Sequence, residues 1–125
     1  MLLIIANVLA GLIGAGIIVI GLRELFAPRT AADFGIPNTP TGSPNFQAWL
    51  SVKAVRDIAS GAFIFILMAN GSPDLFGWFM LAAAFIPAGD CLVVLRSKGP
   101  KSAAYGIHGA TAAVMLVISA LLIAA

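Results

Sequence analysis

Lys53, Arg56, Asp57, Asp90 and His108 stand inside otherwise apolar stretches, where ionisable side chains are hardest to accommodate. Insertion at the centre of a membrane-spanning helix costs roughly 2.5 to 3.5 kcal/mol for one Asp, Lys or Arg. Lys53, Arg56 and Asp57 on one helix would together cost about 8 to 10 kcal/mol if each faced lipid unpaired. These side chains must therefore face a bundle interior, a water-filled cavity, or one another. Lys53 and Asp57 are spaced i,i+4 and Lys53 and Arg56 i,i+3, so all three project from one broad helical face. Ser60 and Gly61 continue that face outward by one turn. Acid–base chemistry needs titratable groups whose environments separate their proton affinities. In this arrangement Asp90 and His108 exchange protons with a substrate, and Asp57 orients Lys53. Lys53 and Arg56 stabilise a developing oxyanion. Isomerisation or cyclisation fits such a site.

Plainer roles compete with these. The charges can form an interhelical clamp, with Lys53 or Arg56 pairing Asp57 and Asp90, and His108 can be a hydrogen-bonded structural residue. Arg23 and Glu24 fall at the inner end of the first helix, where long charged side chains reach for the interface. Together with Trp49 and Ser60 they border the cluster as candidate binding residues. Cys91 is a small apolar filler, and as the only cysteine it excludes an internal disulfide or a thiolate-rich metal site. The sequence contains no metal-ligand spacing, phosphate-cradling glycine loop or nucleophile elbow, and no cofactor or metal is expected.

Composition decides the class. Of 125 residues 61% are hydrophobic and 10% charged, against about 25% charged in ordinary soluble domains, and the mean hydropathy is +1.05. So few charges cannot coat a soluble surface; a bilayer asks for no such coat. The basic residues form no stripe that could track phosphates, so the net charge of +2 does not indicate nucleic-acid binding.

A spanning helix needs about 20 predominantly apolar residues, and with no hydrogen bonds available from lipid such runs are helical. Four are expected, at about residues 2–26, 44–70, 73–96 and 102–124, making one all-α, four-helix transmembrane bundle. Pro28 ends the first. Ser43-Pro44 and Ser72-Pro73 each offer a capping hydroxyl followed by a proline at the first helical position. The N-terminus lacks the Lys or Arg that opens a secretory signal, and its apolar run is too long for one, so it reads as a retained helix. Arg23, Arg29, Arg96, Lys98 and Lys101 lie at the first and third connections, whereas Asn70 to Asp74 carries no Lys or Arg. The positive-inside rule then places both termini on the non-cytoplasmic side of the cell membrane. Phe46, Trp49 and Tyr105 are expected to form one aromatic belt, Phe76 and Trp78 the other. Ala6, Ala10 and Gly14 recur every four residues, as do Gly11 and Ala15, and Gly106 and Ala110. Such stripes allow close packing, within the chain or in a homo-oligomer.

At about 1.5 Å per residue, Asp90 and His108 lie about 9 Å and Lys53 about 14 Å from the inner ends of their helices, so with a turn of the second helix protruding the three share one level; Arg56 and Asp57 sit a turn deeper. Pro87 and Gly89 invite a bend beside Asp90, tolerated at membrane depth where it lines a cavity. Arg29 to Phe34 is expected as a short turn of helix within a loop rich in Pro, Gly, Asn and Thr. That segment faintly echoes Lys101 to Ile107, as a parallel two-helix repeat would.

Lys53-x-x-Arg56-Asp57-x-x-x-Gly61, Pro87-x-x-Asp90 and Gly106-x-His108-Gly109, with the Ala27-Pro28 to Gly35-Ile36-Pro37 segment, resemble a family of small four-span membrane proteins known as a domain of unknown function, DUF4267, and distantly similar to DoxX-like proteins. The resemblance covers nearly the whole chain. It implies a four-helix bundle whose charged positions belong to the family pattern, and it supplies no activity. Three functions stay open. One is an enzyme or binding protein for a small lipophilic molecule; another is a proton-coupled carrier, where the charge bias argues against dual topology. The third is a structural subunit held by its charges.

Overall fold

The computed structural model describes residues 1–125 as an all-helical chain without strands. Four long helical stretches follow one another: α1 (Leu2–Phe26), α2 (Pro44–Asn70), α3 (Pro73–Arg96) and α4 (Lys101–Ala124). Ser43 caps α2 by accepting from the Phe46 amide, and Ser72 caps α3 by accepting from the Leu75 amide, each with a proline in the first turn. Gly71, in the left-handed conformation, ends α2. The helices α1, α3 and α4 are long and apolar enough to cross a membrane. In α2 every stretch of 18 residues contains Lys53, Arg56 and Asp57, which lowers its apolar character below that of the others.

Packing divides the molecule into layers. A core of Ala6, Ala10, Ile64, Phe76, Met80, Ala84, Met115, Ile118 and Leu122 draws on all four helices at the end that holds both chain termini. A smaller one, Val94, Ala103 and Ala104, lies at the opposite end. Most titratable side chains within the helices fall between the two. Ala6, Ala10 and Gly14 are buried, so that stripe serves packing inside the chain, whereas Gly106 and Ala110 face outward. Trp49, Trp78 and Tyr105 are exposed as a belt requires, but Phe76, at 2% exposure, belongs to the core. It lies on the same face of α3 as Met80, one turn on.

Two irregularities flank the middle layer. The helix α3 is interrupted at Ala84, one turn before Pro87, whose ring removes an amide donor and crowds the carbonyl four residues earlier. In α4, Ala104–Gly109 form a π-helical turn, a rare widening that often marks functional positions. Between α1 and α2, Pro28–Phe34 form a 3₁₀ helix, which Gly35 ends at φ 112. The echo of this segment at Lys101 leads straight into α4 instead. The two stretches thus play different structural parts.

The hydroxyl of Ser119, buried in α4, donates to the Gly77 carbonyl of α3 at 2.8 Å. Ser119→Ala is expected to cost about 0.6 to 1 kcal/mol, the range for one interhelical bond in a membrane protein. Unfolding in detergent micelles titrated with dodecyl sulfate measures it; an unchanged midpoint would show that the bond contributes nothing.

Candidate functional site

The middle layer is organised around Lys53. Its Nζ donates to Glu24 Oε1 and to Asp57 Oδ2, each at 2.7 Å, tying α2 to α1. This becomes possible because the two helices nearly touch: a Cβ at Gly21 would lie 2.8 Å from the Ala54 carbonyl oxygen of α2. Glu24 follows Gly21 by three residues, on the same face, and is 6% exposed. It is therefore a buried ion-pair partner and not an interfacial snorkeller. Arg23 beside it is exposed.

Phe34 links Lys53 to His108. Its ring centroid lies 5.4 Å from Lys53 Nζ and 4.3 Å from the imidazole centroid, and its carbonyl oxygen is 2.8 Å from His108 Nε2. A carbonyl only accepts, so Nε2–H donates and the neutral ring keeps Nδ1 as its basic nitrogen. Gly35 makes this contact possible: its positive φ turns the chain away just after Phe34. Phe34 was missed by reasoning from chemistry-bearing residue types; its one signal in the sequence was the position beside Gly35-Ile36-Pro37.

A cavity of about 470 Å³ opens between the helices. Its long wall is apolar, with Ile13, Ile17, Phe63, Phe79, Ile86 and Met115 among the lining side chains. Asp57, Ser60, Asp90, His108 and Thr111 are its polar lining residues. Two of these hydroxyls are already committed as donors, Ser60 to the Arg56 carbonyl at 2.8 Å and Thr111 to the Ile107 carbonyl at 2.7 Å. They offer lone pairs to the cavity and no hydrogen. With the Asp57 and Asp90 carboxyl oxygens beside them, the polar lining is rich in acceptors. Thr111 had been signalled only by standing three residues beyond His108, on the same helical face.

The structure thus brings Asp57, Ser60, Asp90 and His108 to one cavity and leaves the cations out of its wall. Lys53 is held by two carboxylates. Arg56 is exposed on the outer face of α2, reaching only the Val52 carbonyl of its own helix at 3.4 Å. Trp49 is exposed and borders a second, smaller cavity beside Glu24 and Lys53. No group of three or more His, Cys, Asp or Glu side chains is placed to hold a metal ion.

The model of the domain of unknown function DUF4267 matches residues 14–122 of the chain. The chain belongs to this family. That match runs from the middle of α1 almost to the end of α4 and takes in the clamp and every polar residue of the cavity wall. No curated protein and no solved structure matches the chain.

Proposed function

We propose that this DUF4267 protein is a four-span bundle of the cell membrane, with both termini outside, that binds a small lipophilic molecule carrying a hydroxyl group and exchanges a proton with it. The observation that carries this reading is the cavity: its volume of about 470 Å³ falls within the roughly 300 to 1,000 Å³ typical of small-molecule sites. Its chemistry is equally typical, a long apolar wall with a few convergent polar groups. Acceptors select a donor. A hydroxyl entering this end meets His108 Nδ1 and the Asp90 carboxylate as candidate bases, while the lipophilic body lies along the isoleucines and phenylalanines. His108 is presented for that role in a defined tautomer by Phe34. The bias of five basic residues to none between the connections supports the orientation with both termini outside.

The pairing of Lys53 with Glu24 and Asp57 favours the interhelical clamp for those three residues. The two readings divide the layer between them. Lys53 holds α1 and α2 together and fixes Asp57 at the cavity edge; Asp90 and His108 remain available to a ligand. An oxyanion-stabilising part for Lys53 and Arg56 has no support from their positions.

Mass spectrometry of lipophiles that co-purify in mild detergent tests the proposal. Asp90→Asn and His108→Gln are expected to lower retained ligand about tenfold or more, a loss of at least about 1.4 kcal/mol in binding. The melting temperature should stay within a few degrees, because Gln can still donate to the Phe34 carbonyl. Variants that fold and hold as much ligand as the parent would remove Asp90 and His108 from the site. Variants that fail to accumulate would extend the clamp to them.

A further inference from the structure

At the end of the bundle away from the chain termini, two connections meet backbone to backbone. The turn between α3 and α4 brings Gly99 against Gly35, which follows the 3₁₀ helix. A Cβ at Gly99 would collide with the Gly35 carbonyl oxygen and stand 2.7 Å from Val94 Cγ1. A Cβ at Gly35 would lie 2.9 Å from Ala103 Cβ and 3.1 Å from Val94 Cγ1. Gly35 must also supply a positive φ, but Gly99 need not: the positive-φ glycines are Gly35 and Gly71. In the α3–α4 turn Lys98 takes the left-handed conformation, at φ 60. The amides of Lys98 and Gly99 return to the carbonyls of Leu95 and Val94 at 3.1 and 2.9 Å. This is the helix-ending pattern that ordinarily puts glycine where Lys98 stands. The glycine comes one residue later, where close approach and not conformation requires it.

We propose that Gly99 is a positioning residue for His108, acting through the backbone of Phe34 and Gly35. The Phe34 and Gly35 carbonyls belong to adjacent peptide groups. The first accepts from His108 Nε2 at 2.8 Å; the second rests on Gly99. Val94 and Ala103 flank Gly35, so the loop is seated on the turn and on the start of α4 together. Ala103 directly precedes the π-helical turn, Ala104–Gly109, that carries His108. The seat thus fixes an acceptor from one connection against a donor on α4, and the Phe34 ring, 4.3 Å from the imidazole centroid, limits its swing. A side chain at position 99 lifts the loop and withdraws the Phe34 carbonyl. Nε2–H then loses its acceptor, and nothing fixes which ring nitrogen carries the proton. Gly99 itself does not line the larger cavity. The inference rests on the reading of His108 as a base for the ligand's proton, but its geometry can be tested without a ligand.

Nitrogen NMR of the full chain in detergent micelles, with labelled histidine and the imidazole neutral, reads the effect. His108 is the only histidine, so one pair of ring-nitrogen signals is expected. In the parent Nε2 alone should carry the proton, in slow exchange with water. Gly99→Ala is expected to give averaged signals from both tautomers, to lose the slowly exchanging proton and to lower retained ligand several-fold. A loss of stability alone would leave the ring signals where they are. Lys98→Gly alters the same turn without adding a Cβ at the contact and should match the parent. Val94→Ala loosens the seat without a clash and should move the signals the same way by less; it decides the matter if Gly99→Ala does not accumulate. Parent-like signals in both Gly99→Ala and Val94→Ala, or an equal change in Lys98→Gly, would overturn the proposal. Shifted signals with ligand retention unchanged would uphold the positioning by Gly99 and count instead against His108 as the base.

Discussion

Lys53→Met is expected to destabilise the protein by roughly 3 kcal/mol, the lower end of the range for breaking a buried ion pair. The substitution removes the single donor that two carboxylates share. Glu24, at 6% exposure, would be left charged beside Asp57 with neither compensated. The loss stays at the low end because the Lys53 side chain is itself 37% exposed and its charge is partly screened in the parent. A triple variant, Glu24→Gln, Lys53→Met and Asp57→Asn, should recover most of the stability, since it buries no unpaired charge. Unfolding by dodecyl sulfate measures both. A single variant as stable as the parent would mean that the three residues do not clamp α1 to α2.

Gly61→Leu should be at least as damaging. A Cβ there would stand 2.5 Å from Ile18 Cγ1 and 2.6 Å from the Gly14 carbonyl oxygen. The isoleucine tip can rotate; the backbone oxygen cannot. The helices α1 and α2 must separate, and with them Glu24 from Lys53 two turns further along. Overpacking alone costs about 1 to 3 kcal/mol, and the lengthened ion pair adds to it. Gly16→Ala, where no atom lies within 4 Å of the new Cβ, is the control and should cost nothing, gaining up to about 1 kcal/mol from helix propensity. A crosslink between cysteines placed at Arg23 and Lys53 levels would report the separation directly, and an unshifted crosslinking rate in Gly61→Leu would contradict it.

The helical class and the helix caps were legible because they depend on local chemistry. Ser43-Pro44 and Ser72-Pro73 combine a side-chain acceptor with a residue that needs no hydrogen-bond partner, and those requirements hold wherever the chain goes. The pairing of Lys53 with Asp57 was legible for the same reason, as an i,i+4 contact on one helix. Rotation decided Arg56. At about 100° per residue, Lys53 lies between Arg56 and Asp57 around the helix, and the sequence does not say toward which of them the neighbouring helix approaches. In the structure α1 approaches on the Asp57 side, which turns Arg56 outward.

Glu24 shows the same division. Its place near the end of an apolar run suggested an interfacial charge, because interface is what a helix end ordinarily meets. Only the crossing of α1 and α2 at Gly21 buries it. Phe34 depended on still more remote structure, for its carbonyl meets an imidazole 74 residues away. By itself the sequence determined that these residues form apolar helices, how the helices begin, and that the charges within them must find company. Tertiary structure alone decided which partners they found. Hydrophobicity and capping are properties of a residue and its near neighbours, whereas an ion pair or a cavity wall exists only where two helix faces, each set by rotation, meet.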